Sequence, residues 1–414
     1  MVEITIPLDI PDVEIVNIEI NIKKGIIIIT LKSIVEGTRC HICGRKINKP
    51  HSHDREIKLR HLSILGMETY ILIRPARYQC IHCKGKPTTT QKLQWYNQRS
   101  PCTIAFEEHI LLQLVHSTVE DVSIKENIGY DAVMGIIDRY IGKKVNWKEI
   151  NSLDILGIDE ISLKKGHKDF VTIVTERNGD GKIRILAVIS GRKKEDVKKF
   201  LSSIPKRLRK TILAVCSDLY KGYINATKEV FGDDIIIIAD RFHIAKLYRK
   251  GLERLRKKEM KRLKKGLSED EYKKLNGVMW ILRKNINELT EEEFEVLRLL
   301  FKYSPILKIA HKFCNELTNI FEDDISKSEA KRRINEWKNQ VIKSGLTCFN
   351  KFISTLDEWT EEITNYFIDR QTSGFVEGFN NKIKVIKRRC YGIFNPKHLF
   401  QRIHLDLVGY SLFD

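Results

Sequence analysis

The chain has 414 residues, 42% of them hydrophobic and 31% charged. These are values of a multidomain globular protein, and they exclude a disordered chain or a disulfide-stapled miniprotein. Lys and Arg number 73 against 54 Asp and Glu, and the resulting +19 calls for a polyanionic partner, by default nucleic acid. No apolar run approaches the roughly 18 residues of a membrane span, and the start lacks the basic-then-apolar pattern of a signal peptide. The expectation is a cytoplasmic, nucleoid-associated protein without a membrane partner, in which nine cysteines serve as thiols or metal ligands.

Residues 1–98 alternate β-like runs with turn residues and contain two cysteine pairs, Cys40-His-Ile-Cys43 and Cys80-Ile-His-Cys83, separated by 36 residues. A CxxC turn places two thiolates on one side of a tight backbone turn, and two such turns complete the four-sulfur shell that Zn²⁺ prefers. His41, His51, His53 and His82 stand nearby as substitutes, but Cys40, Cys43, Cys80 and Cys83 suffice. Four sulfurs leave no open catalytic position, so the expected role of this zinc-binding N-terminal module is structural, presenting basic loops to a phosphate backbone.

Residues 99–150 carry apolar side chains at helical spacing around a turn at Gly129, the pattern of a helix-turn-helix. Residues 151–240 contain candidate strands at 155–161, 170–176, 182–189 and 212–217, then a helix and a fifth strand at 235–239, an α/β order. Residues 241–366 read as helical and highly charged. Twelve Lys or Arg against two Glu between Arg241 and Lys265 would self-repel without an anionic partner, so phosphate contacts are expected from Arg241, Lys246, Lys257, Lys258, Lys261 and Arg262. Residues 367–414 comprise an amphipathic helix from about 369 to 389 and a tail.

Three acids stand out in this layout. Asp159 sits within or just past an apolar strand, where a carboxylate is costly unless paired or metal-bound. Asp218 follows the fourth strand, where it either holds a ligand beyond the strand end or caps the next helix. Glu377 shares a helical face with Asn380, Asn381 and Lys384, and Gly374 with Gly378 would let another backbone come close. Glu160 alternates to the opposite strand face and reads as structural.

The runs Gly157-IDEISLKKGHKDFVTIVT, Gly191-RKKEDVKKF, Cys216-SDLYKGYINA, Ile238-ADRFHIAKL and Asn365-YFIDRQTSGFVEGFNNKIKVIKRRCYG, behind the cysteine module and helix-turn-helix, resemble the insertion-sequence transposases of the ISL-three family. The resemblance spans essentially the whole chain. It implies an α/β fold class, a ribonuclease-H-like DDE core interrupted by a large helical insertion. It makes Asp159, Asp218 and Glu377 the catalytic, metal-holding acids for two Mg²⁺ or Mn²⁺ ions, beside structural Zn²⁺. The motif from Asp240 to His243 resembles a [C/D]xxH signature. Asp240 is thereby an accessory acid or a helix cap, and His243 a phosphate donor or a packed side chain. Asn380, Lys384, Lys387 and Arg388 are expected near the scissile phosphate. The implied activity is cleavage of element ends and 3′-OH strand transfer into target DNA by a homodimer or higher oligomer. The alternatives are a domesticated zinc-containing DNA-binding protein and an RNase H-like nuclease without strand transfer.

Overall fold

The computed structural model describes residues 8, 10–163, 170–284, 288–368, 370, 374–390, 393 and 395–412. It divides into two compact units, 1–143 with 401–414, and 144–400.

The first unit begins with strands β1 (Val13–Asn21), β2 (Ile26–Ser33), β3 (Thr38–Arg39), β4 (Lys46–Ile47), β5 (Lys49–His53), β6 (Ile57–Ile64), β7 (Met67–Ile73), β8 (Ala76–Gln79) and β9 (Thr88–Thr90). They form a four-stranded sheet β1-β2-β7-β6, a small β3-β4 pair and a three-stranded sheet β5-β8-β9. The isoleucine-rich β2 alternates strictly, so Ile27, Ile29 and Leu31 join Leu59, Ile71, Ile73 and Trp95 in one small core. Helices α1 (Ile104–Leu114), α2 (Val119–Lys125) and α3 (Tyr130–Tyr140) follow. Thr103 and Thr118 start the first two by accepting the amides of Phe106 and Asp121.

The second unit is built on β10 (Ile155–Ser162), β11 (Phe170–Arg177), β12 (Ile183–Ser190), β13 (Ala214–Ser217) and β14 (Ile236–Ala239), in the order β12-β11-β10-β13-β14. The first three strands are antiparallel neighbours, whereas β13 and β14 run parallel to β10. Helices α4 (Lys194–Ser203), α5 (Lys206–Arg209) and α6 (Lys221–Phe231) contribute to a core around Leu156, Ile158, Val174, Val197, Leu201 and Tyr223. The opposite sheet face, with Ile155, Cys216 and Ile238, is continuous with the core of the helices that follow.

Those helices are α7 (Arg241–Gly266), α8 (Glu269–Lys273), α9 (Val278–Ile281), α10 (Glu291–Tyr303), α11 (Pro305–Glu322), α12 (Lys327–Lys343), α13 (Asn350–Glu358) and α14 (Thr360–Thr364). Reciprocal side-chain caps start α8 (Ser268 with Glu271) and α10 (Thr290 with Glu293). Gly251 of α7 lies where a Cβ would come within 2.6 Å of the Cys348 carbonyl oxygen, so only glycine permits that approach. Helix α15 (Gly374–Arg389) returns to pack on β10.

The last helix is α16 (Pro396–Val408). Residues 401–412 group with the first unit. Leu405 is wholly buried among α1, α2 and α3, and Gln401 donates to the Ile141 carbonyl at 2.9 Å. Arg402 bonds the Leu114 and Ser117 carbonyls and pairs with Asp406 at 2.9 Å. Among the described residues no helix is long and apolar enough to cross a membrane.

Candidate active site and metal centre

The four paired cysteines converge. Their sulfurs all lie within 4.8 Å of one another, with Cys40 to Cys83 at 3.9 Å and Cys43 to Cys80 at 3.8 Å. A tetrahedral Zn²⁺ with Zn–S near 2.3 Å separates its sulfurs by about 3.8 Å, so this donor set fits zinc. Each pair sits on a backbone turn: Gly44 donates to the Cys40 carbonyl at 2.9 Å, and Lys86 to that of Cys83 at 3.1 Å. Amides of Cys43 and Ile42 pull the Cys40 thiol down to about 6, while the sulfur of Cys43 pushes Cys83 up to about 12. His41 is engaged elsewhere, its Nδ1 lying 2.9 Å from the Thr89 hydroxyl.

The acids of the second unit are assembled by strand register. Ile158 of β10 pairs with Ser217 of β13, which in turn pairs with Ala239 of β14. The next residues, Asp159, Asp218 and Asp240, therefore occupy neighbouring positions: Asp218 and Asp240 directly follow the ends of β13 and β14, beside Asp159 within β10, which continues to Ser162, at the edge where open α/β sheets bind ligands. Burial, foremost, raises the Asp159 carboxyl above its ordinary value, with Asp240 and Glu160 adding to the rise. Asp218 is pushed up to about 6, first by burial and then by the charge of Asp159. Its Oδ1 is buried without a hydrogen-bond partner among the described residues. Crowded carboxylates with an orphaned oxygen form a fitting donor set for a hard divalent cation.

Asp240 caps α7, its Oδ1 accepting from the amides of Phe242 at 2.7 Å and His243 at 3.4 Å. His243 Nδ1 stands 3.7 Å from the other Asp240 oxygen, and its imidazole offsets part of the repulsion at Asp159 and Asp218. Glu160 turns away to pair with Arg192 at 3.3 Å. Glu377 falls on α15, but its side chain lies outside the described residues.

The cations expected to meet DNA divide into two groups. Lys246, Lys257, Lys258 and Lys261 are exposed on α7, opposite its buried Ile244, Tyr248, Leu252 and Leu263. Lys384 and Arg388 are exposed on α15. Arg241 instead bonds the Tyr366 hydroxyl and Glu322, both at 3.1 Å. Arg262 binds Glu259 at 2.8 Å and the Tyr303 carbonyl at 2.9 Å. Lys387 donates to the Ser162 carbonyl at 2.6 Å, and burial lowers its pKa. Asn380 is buried and donates to Asp159 Oδ2, so it is an internal residue and not a surface one. A Cβ on Gly378 would meet nothing within 4 Å among the described residues, so the close backbone approach expected there is not seen among them. In the helix-turn-helix, α3 carries Asp131, Asp138 and Arg139, and the last is bound to the buried Glu107.

Three family models match the chain. One described as "Transposase" covers residues 156–403, one described as "Helix-turn-helix domain of transposase family ISL3" covers 91–141, and one described as "zinc-finger of transposase IS204/IS1001/IS1096/IS1165" covers 36–83. The transposase for insertion sequence element IS1001 of Bordetella parapertussis is 24% identical over 382 residues, 92% of this chain and 91% of that protein. That for IS1557 of Mycobacterium tuberculosis is 22% identical over 392 residues, 90% and 86% of the two chains. Among solved structures, the yeast mitochondrial Holliday junction resolvase covers 51% of this chain and 97% of its own at 14% identity, with a TM-score of 0.12, too low to bear on the fold.

Proposed function

The chain belongs to the ISL3 family of transposases, and from that premise we propose that it cleaves the ends of an insertion sequence and joins them to target DNA, with Asp159, Asp218 and Glu377 as its catalytic acids. The observation that carries this reading is the register of parallel β10 and β13, which sets Asp159 of β10 beside Asp218 just past the end of β13. The strand order, three antiparallel strands continued by two parallel ones, supports a ribonuclease-H-like core with α7 to α14 inserted before the helix of the third acid. The four-cysteine cluster and the zinc-finger match support a structural Zn²⁺.

Asp159, Asp218 and Glu377 would hold the catalytic Mg²⁺ or Mn²⁺. When bound, such ions activate the attacking oxygen and steady the leaving one. The protein's own contribution is orientation. The Glu160 amide holds Asp159 Oδ1 at 2.6 Å, and Asp240 stiffens the start of α7, so His243 faces the acids from a fixed helix. The exposed lysines of α7 and the cations of α15 supply backbone grip, while the zinc ribbon and helix-turn-helix recognise element ends. Joining paired ends requires at least two active sites, hence a dimer or larger assembly on DNA.

The test is incubation of the purified protein with its element's end DNA and Mg²⁺ or Mn²⁺, beside Asp159→Asn, Asp218→Asn and Glu377→Gln. The expected result is cleaved and joined product from the wild type only, with end binding retained by all variants. Cleavage without joining would favour a nuclease, and near wild-type cleavage by any variant would remove that residue from the catalytic set.

A further inference from the structure

We propose that Asn380 is a positioning residue: it fixes the orientation of the Asp159 carboxylate and the distance between the strand carrying that acid and the helix carrying Glu377. The inference rests on the assignment of Asp159 proposed above.

Both oxygens of Asp159 have a fixed donor. Oδ1 accepts the Glu160 amide at 2.6 Å, and Oδ2 accepts the Asn380 side-chain amide. An ionised carboxylate has about four lone-pair sites, so two donors orient it and leave sites for a cation. The donors are neutral, and that choice matters. A lysine or arginine at position 380 would cancel the charge a divalent ion needs, whereas an amide bonds the carboxylate and leaves the charge intact. Carboxylates that ligate metals are commonly held in this way by hydrogen bonds from behind.

The position gains little else from being asparagine. Asn380 is 3% exposed, on the same buried side of α15 as Phe379, Ile383 and Ile386, and its own Oδ1 is buried without a hydrogen-bond partner among the described residues. An apolar residue would fill this space without orphaning an oxygen, so the donation to Asp159 is what the amide adds. Asn380 lies one helical turn beyond Glu377, and Lys387, two turns further along the same face, binds the Ser162 carbonyl at 2.6 Å. Two ties seven residues apart therefore set the register of α15 along β10. A rotation or slide of the helix that displaced Glu377 would have to break the bond at Asp159.

The experiment compares Asn380→Leu, Asn380→Ala and Asp159→Asn with wild type. It measures Mn²⁺ binding to the DNA-free protein by electron paramagnetic resonance of the free ion, the Mn²⁺ concentration for half-maximal cleavage, and thermal melting by circular dichroism. Loss of a hydrogen bond behind a metal ligand typically weakens affinity about 10- to 100-fold. Both Asn380 variants should therefore bind Mn²⁺ at least about tenfold more weakly and need correspondingly more of it for cleavage, while melting cooperatively as folded proteins. Wild-type Mn²⁺ affinity in either folded variant would overturn the proposal, and so would loss of the fold in both, which would make Asn380 structural only. If Asp159→Asn abolishes cleavage while the Asn380 variants match wild type, this proposal alone fails. If Asp159→Asn leaves binding and cleavage unchanged, the active-site assignment itself fails.

Discussion

The cysteine cluster and the carboxylate cluster are assembled in opposite ways. Four sulfurs arrive on two short turns between Cys40 and Cys83, each shaped by its own backbone hydrogen bonds. Asp159, Asp218 and Asp240 arrive on or just after three separate strands, brought together only when β10, β13 and β14 align. The sulfurs lie in a minimal core of Cys40, Ile47, Tyr78 and Cys80, whereas the acids crown a sheet with large apolar cores on both faces. A metal should therefore hold the first region together, while the second should fold without one and, on the proposed function, would use it for chemistry.

The largest effect that can break this comparison is zinc removal. Structural Zn²⁺ contributes on the order of 10 kcal/mol of apparent folding energy in small modules, more than the little β3-β4 and β5-β8-β9 sheets can replace. Cys43→Ser, or strong chelation, should expose residues 36–90 to limited proteolysis and rapid hydrogen exchange, with the sheet of residues 155–239 still protected. Equal loss of protection in both regions would mean that the sheet also depends on the cysteine site.

A second effect sharpens what belongs to the first region. Leu405 is wholly buried against the helix-turn-helix helices, and truncating a buried leucine costs about 2–5 kcal/mol. Leu405→Ala should lower the melting transition of the helix-turn-helix and weaken end binding, although it lies some 290 residues away in sequence, the separation of the bond from His116 to Asp406. An unchanged first transition in calorimetry would contradict the observed grouping of residues 401–414 with that unit.

How much of this was readable from sequence follows the same division. The CxxC spacing announced the sulfur site because its geometry is local. The five core strands lie within two residues of the runs expected for them, since long apolar β-branched stretches have few other uses. The partners of individual polar side chains were not readable. Helical periodicity put Asn380 on the face of Glu377 and counted Arg241, Arg262 and Lys387 as cations, but whether a polar group meets DNA or an acceptor inside the fold depends on tertiary neighbours. Asp159, Glu322 and the carbonyls of Tyr303 and Ser162 are such neighbours, all distant in sequence. The return of the last helix to the first unit left no compositional mark either, because Gln401, Arg402 and Asp406 look like ordinary surface residues until their buried partners are known.

A smaller effect concerns the exposed face of α7. Lys258 and Lys261 are exposed and Lys257 makes only a long, exposed pair with Glu253 at 3.9 Å, while Arg262 is bound to Glu259 and the Tyr303 carbonyl. Each phosphate contact contributes about 0.9 to the slope of log affinity against log salt. Replacing the three lysines by alanine should flatten that slope by up to about 3 on end DNA without altering sequence preference, and adding Arg262→Ala should flatten it little further. A slope unchanged by the triple replacement would move the backbone grip to another surface, with α15 the first to examine.

The smallest expected effect tests the carboxylate cluster within a single strand. Asp159 and Glu160 are adjacent on β10, so strand alternation sends their side chains to opposite faces. Asp159 faces Asn380, while Glu160 pairs with the half-exposed Arg192 at 3.3 Å. Partly exposed ion pairs contribute about 0.2–1 kcal/mol, and the negative charge of Glu160 also raises the pKa of both Asp159 and Asp218. Glu160→Gln removes a weak surface pair and a mild repulsion, two small terms of opposite sign for the site. Its cleavage rate should stay within about fivefold of wild type, the equivalent of ~1 kcal/mol, measured at saturating Mg²⁺ beside Asp159→Asn. If Glu160→Gln instead lost cleavage as completely as Asp159→Asn, facing would not be what separates a catalytic acid from a structural one on this strand.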